Sequence, residues 1–224
     1  MTSGEELLDA SFAQFTDTIW FVDAPFAAAA AAATAWLTRL GGRRFFPIDE
    51  PLPELLGALE PWAMPSWKQI LVATTSNWTA IFSQGSDIGS HDVLGRELGC
   101  RSLRTNSSPH IVRAGEVVNF GDTAFWLRDV DKSHRSIQAS YQSRWEWHLD
   151  GPPLPFEDQR AYDAKRIVDR FDVSRMNSYC RALGIRRNDP DFYLPRGLLI
   201  EQDINGWPQH PRTLSGAEWR AANR

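Results

Sequence analysis

Arg144-Trp145-Glu146-Trp147-His148-Leu149-Asp150 alternates charged and bulky apolar side chains. Successive side chains of a strand point to opposite faces, so Trp145, Trp147 and Leu149 share one face. Arg144, Glu146, His148 and Asp150 share the other. This pattern predicts a half-buried strand of an antiparallel sheet, one face on a core and one towards water. Upstream, strands are expected over 116–119, 124–128 and 136–142, with Gly121-Asp122 as a turn between the first two. The stretch up to 149 therefore reads as an antiparallel meander.

Working towards the N-terminus, 68–73 and 78–82 read as a hairpin closed by Thr74-Thr75-Ser76-Asn77. Thr18-Ile19-Trp20-Phe21-Val22 is another strand, and Pro25 opens a helix over 27–40 whose seven consecutive alanines favour that state. Gly41-Gly42 stops it, and 43–46 returns as a strand. Short helices are expected over 52–59 and 91–98, and a strand over 100–104. In the other direction, Gly151-Pro152-Pro153-Leu154-Pro155 ends the meander. Ala161, Ala164, Val168 and Phe171 then recur at helical spacing, as do Met176, Cys180 and Leu183 behind Ser174, a suitable N-cap. A last strand spans 197–201.

Together these elements predict an α+β fold, a largely antiparallel sheet covered by four or five helices. Residues 1–206 form one domain, and 207–224 a polar C-terminal tail that only Trp207 or Trp219 would anchor. The stretches from Trp20 to Arg43 and from Trp78 to Arg101 align at an offset of 58, each reading strand, helix, Leu-Gly-x-Arg. A duplicated strand–helix–strand unit would produce this, and so would a shared way of ending a helix on glycine.

Composition bounds the function. The 224 residues carry 24 Lys plus Arg against 28 Asp plus Glu, a net charge of −4, too balanced for a disordered tail. Arg outnumbers Lys by 21 to 3, which with the alanine content points to a high-GC bacterial genome. The longest apolar stretch, 26–37, is too short for a bilayer span, which takes roughly 20 residues. Residues 1–12 lack a basic start and a cleavage site, so a cytoplasmic protein is expected. Cys100 and Cys180 stand alone and read as reduced and structural. Acidic charge concentrates in residues 1–90, with ten acidic against four basic groups.

Several groupings invite chemistry. Glu146, His148 and Asp150 would form a metal-binding or acid–base row, and a metal-dependent or hydrolytic enzyme centred there is one reading. A solvated strand face accounts for the same pattern. Ser83 to Asp92 is a Gly/Ser loop before a helix, with neither GxxxxGK[ST] nor GxGxxG, so no nucleotide cofactor is expected; Ser90 or Asp87 would cap that helix. Asp129, Asp131, Lys132, His134 and Arg135 read as an exposed turn. Arg181, Arg186, Arg187 and Arg196 form the one basic cluster, too small for a nucleic-acid groove.

Ten tryptophans remain, and most would serve a core. Trp62-Ala63-Met64-Pro65-Ser66-Trp67 reads as a loop framed by prolines, and Trp62 and Trp67 are the candidate contacts for another protein. The leading expectation is a non-catalytic binding protein, inhibitory or toxin-neutralising in the manner of an immunity protein. Its acidic first 90 residues suit a basic partner.

Overall fold

The computed structural model describes residues 7–85, 89–205 and 210–223. A 3₁₀ turn at Ala10–Phe12 leads into α1 (Ala13–Thr16), β1 (Thr18–Val22), α2 (Phe26–Leu40), β2 (Arg43–Ile48) and α3 (Leu52–Gly57). Next come β3 (Trp62–Met64), β4 (Lys68–Thr74), β5 (Thr79–Ser83), α4 (Ser90–Leu98), β6 (Ser102–Ser108), β7 (Ile111–Arg113) and β8 (Glu116–Asn119). β9 (Asp122–Arg128), β10 (His134–Tyr141) and β11 (Trp145–Asp150) follow. The chain then forms α5 (Ile167–Arg170), α6 (Val173–Ala182), β12 (Tyr193–Gln202), β13 (Arg212–Leu214) and α7 (Gly216–Asn223). Among the described residues, nine strands make one sheet in the order β11-β10-β9-β6-β1-β5-β4-β12-β2. Every neighbouring pair in it is antiparallel. The fold is α+β.

β1 shows how the sequence places this sheet. Its β-branched and aromatic residues are buried on both sides: Ile19 and Phe21 face one core, Trp20 and Val22 the other. On the first face, Phe15 of α1, Leu55 and Leu56 of α3, and Met176, Tyr179 and Cys180 of α6 pack against Ile70, Phe82 and Phe125. On the second, α2 presents Ala29, Ala33 and Leu37 along one stripe, beside Leu94 of α4, to Leu71, Ile81 and Ile200. The small alanines let the helix lie close to the sheet. Each fully buried Leu, Ile or Phe contributes about 1.5–3 kcal/mol against the exposed state.

The covering is uneven. On the second face α2 lies against β2 and β4, and α4 against β1 and β6. α4 reaches the near side of β9, where Asp92 lies 3.8 Å from Arg128, while α5 and α6 pack on β9 to β11 from the first face. The second face of those strands is therefore polar, with Ser136, Gln138 and His148 beside Trp126. Arg104 of β6 stacks on the Trp126 ring at 4.5 Å from its centroid.

Several local expectations give way to longer-range packing. Residues 116–119 do not open the meander, which consists of β9, β10 and β11 alone. β8 pairs with β7 in a separate hairpin around Ala114 and Gly115, both at positive φ. At Gly121 a Cβ would stand 2.6 Å from His110 Cβ and 2.8 Å from the Trp145 ring, so the chain is pressed between side chains there. Residues 161–171 form no continuous helix. A 3₁₀ turn at Gln159–Asp163 and the single turn α5 flank Ala164, whose backbone is extended. The Tyr162 hydroxyl fixes that turn, donating to Glu157 and contacting the Tyr179 hydroxyl at 3.0 Å each. Asp172, not Ser174, caps α6, accepting from Arg175 N at 2.8 Å. Gly89 is the N-cap of α4, in the left-handed conformation. Ser90 is already helical, and Asp87 lies outside the described residues.

Residues 62–67 are not a plain loop, because Trp62 to Met64 pair with Arg212 to Leu214. The C-terminal segment supplies that partner strand and then α7, which packs on α1 and its preceding turn. Trp219, 9% exposed, is its anchor, while Trp207 lies outside the described residues.

Candidate functional site

The structure separates Trp62 from Trp67. Trp62 is half-buried in β3, opposite Leu214. Trp67, also half-buried, is held by its backbone: its N–H donates to Gln84 Oε1 at 3.2 Å and its carbonyl accepts from Gln202 N at 2.7 Å. This positions the Trp67 ring at a groove of about 320 Å³ under the C-terminal end of α2, with Trp36, Leu37, Leu40 and Ile200 as further walls. Leu40 is 58% exposed and Trp36 half-exposed, one helical turn apart. Beyond the groove runs β2, an edge strand whose Phe46 is 40% exposed.

The polar groups around the groove differ in how far they are satisfied. Lys68 Nζ donates to the carbonyls of Ala58 and Glu60 at 3.0 Å each and lies 3.7 Å from Glu201. Arg43 Nη1 donates to the Gly41 carbonyl at 2.7 Å. Ser66 Oγ donates to the Lys68 carbonyl at 3.0 Å and contacts Ser83 Oγ. Gln69 is the exception: 4% exposed and lining the groove, it has a buried Oε1 without a hydrogen-bond partner among the described residues.

Glu146, His148 and Asp150 are all exposed on β11, the opposite edge strand. Asp150 Oδ2 lies 2.6 Å from His134 Nε2 across the strands. That bond and the Gly151 N–H hold the Asp150 carboxyl below its ordinary 3.8. Among the described residues, no three His, Cys, Asp or Glu side chains are grouped so as to hold a metal ion. The 129–135 turn is exposed up to His134, but Arg135 is buried in a bidentate pair with Glu157 at 2.6 and 2.8 Å.

The arginine cluster is dispersed. Arg187 is 1% exposed, Arg186 pairs with Asp189 at 2.8 Å, and Arg196 lies over the Phe26 ring. A second cavity, of about 390 Å³, touches Arg187, Asp17, Asp122 and His110. Its Asp122 carboxylate accepts from Asn106 Nδ2 at 2.8 Å and Gln138 Nε2 at 3.0 Å, and burial raises its pKa. Asp49, Glu50 and Glu54 of the acidic first 90 residues are exposed where β2 passes into α3.

No known family matches. Neither the family models nor the curated proteins match the sequence, and no solved structure matches the fold. Of the two tryptophans singled out in the sequence, Trp67 lines the groove and Trp62 does not. Sequence reasoning missed Trp36, Leu40 and Gln69. Trp36, Leu37 and Leu40 share one helical surface by their spacing, but nothing local places its end against residue 67.

Proposed function

We propose that the chain is a non-catalytic cytoplasmic protein that binds another protein and inhibits or neutralises it. The observation that carries this reading is the convergence of Trp36, Leu40 and Trp67, all partly exposed, on one groove beside an edge strand. Partly exposed aromatics around a concavity are the kind of anchor that dominates protein interfaces. Trp62, half-buried on the neighbouring β3, is a second contact. β2 runs from Arg43 at the groove to Asp49 and Glu50, which with Glu54 offer a basic partner complementary charge. A duplicated strand–helix–strand unit belongs to the same reading: α2 and α4 lie against each other on one face, and both lead back into the sheet.

The test is quantitative capture of a partner by folded variants. Trp67→Ala is expected to weaken capture at least tenfold and Trp62→Ala a few-fold, with unchanged far-UV circular dichroism. Adding the wild-type chain in equal amount should suppress the captured partner's activity. Equal capture by wild type and both variants would remove the reading.

A further inference from the structure

Edge strands usually carry a proline, a lysine or a bulge that discourages further pairing. The β2 edge has Pro47, whereas β11 has none of the three and pairs with β10 in constant register. Tyr141 N–H donates to the Gly121 carbonyl, towards β9, and Gln142 N–H to the Arg144 carbonyl. Backbone direction alternates along an antiparallel strand, so the even-numbered residues of β11 point their N–H and C=O groups at β10. Those of Trp145, Trp147 and Leu149 face outwards, where no strand pairs with them among the described residues. An open concavity of about 530 Å³ touches Arg144 and Glu146 of one face and Trp145 and Trp147 of the other, so it lies along this edge.

We infer that this edge pairs with β11 of a second copy of the chain, antiparallel about a twofold axis at Trp147. The chemistry of the strand is self-complementary when reversed. On the polar face, Arg144 meets Asp150 of the second copy, and Glu146 meets the ring of its His148. On the apolar face, Trp145 meets Leu149, and Trp147 meets itself. All the outward N–H and C=O groups of Trp145, Trp147 and Leu149 then find partners. The charges also fix the register. A slip of two residues one way sets Glu146 against itself, and the other way sets it against Asp150; like charges directly opposite destabilise a pair. A contact in which each copy uses the same patch is the closed, isologous kind that ends at a dimer. The inference goes beyond the protein-binding reading and does not rest on it: the groove beside Trp67 lies at the other end of the sheet and stays open in the dimer.

The experiment is sedimentation equilibrium of the purified full chain over a range of concentrations, with amide hydrogen exchange on the same samples. The mass should rise from monomer to dimer, and the amides of Trp145, Trp147 and Leu149 should become protected as it does. Glu146 and His148 are exposed, so their substitution leaves the fold intact. Glu146→Arg should weaken self-association about tenfold, since the twofold axis repeats the lost pair. Adding His148→Glu to that variant should restore it, because opposite charges face each other again. A monomer at every concentration overturns the inference. So does a dimer in which those three amides exchange as fast as in the monomer, or a double variant that associates no better than Glu146→Arg. None of these outcomes bears on Trp67-dependent capture, which is measured with a different protein.

Discussion

Arg187 is fully buried, and its guanidinium is held by neutral oxygens. Nη2 donates to the carbonyls of Thr16 and Asp17 and to Ser107 Oγ, and Nε donates to Thr105 Oγ1, all within 3.1 Å. Its own carbonyl accepts from the Tyr193 hydroxyl at 2.8 Å. The side chain ties the end of α1 to β6, and burial lowers its pKa. Arg187→Leu should cost about 2–4 kcal/mol in urea unfolding, because four oxygens lose their donor. Arg187→Lys should not restore this, since an ammonium cannot reproduce the planar fork. Nearby, burial pushes the Cys180 thiol up to about 12 from its ordinary 9.0. The folded state therefore resists forming the thiolate. Its share of stability is complete below pH 9.0 and is lost as the pH rises towards 12. Alkaline unfolding followed by circular dichroism should be shallower across that range in Cys180→Ala. The burial of Arg187 was not legible in the sequence, where it was one member of the basic cluster, whereas the helical spacing of Met176, Cys180 and Leu183 already gave Cys180 a structural place. Burying Arg187 depends on partners at residues 16, 17, 105 and 107.

Elements whose pattern was self-sufficient were readable. The alanine run of α2, the β4–β5 hairpin and the alternation of β11 each fix their state locally, through propensity, turn residues and period. Elements that depend on a distant neighbour were not. β3 is a strand because β13 comes back to it, and the spacing at 161–171 yields to the Glu157–Tyr162–Tyr179 bonds. The candidate groove divides the same way: Trp67 was readable as a tryptophan outside any strong pattern, whereas Trp36 and Gln69 join it only through tertiary packing. The C-terminal pairing gives a prediction at this scale. Trp219→Ala should free α7 and β13, raising hydrogen exchange at the amides of 62–64 while those of β4 and β5 stay protected.

At the scale of the whole molecule, the sheet is sealed by helices on one face and only partly on the other. The groove beside Trp67 lies at the β2 end, whereas the polar row of Glu146, His148 and Asp150 lies at the far edge. A partner anchored at one end would therefore leave the other accessible. The strand order also has a consequence for biosynthesis. β12 sits between β4 and β2, yet begins at Tyr193, long after Ile48 and Thr74 have been made. At about 5–20 residues/s, a ribosome needs on the order of ten seconds to reach it. Throughout that interval β4 has β5 on one side and an open edge on the other, carrying Ile70, Leu71 and Val72. A nascent chain in that state is a natural client for a chaperone, and a ribosome that stalls before residue 193 releases a product with a sticky edge.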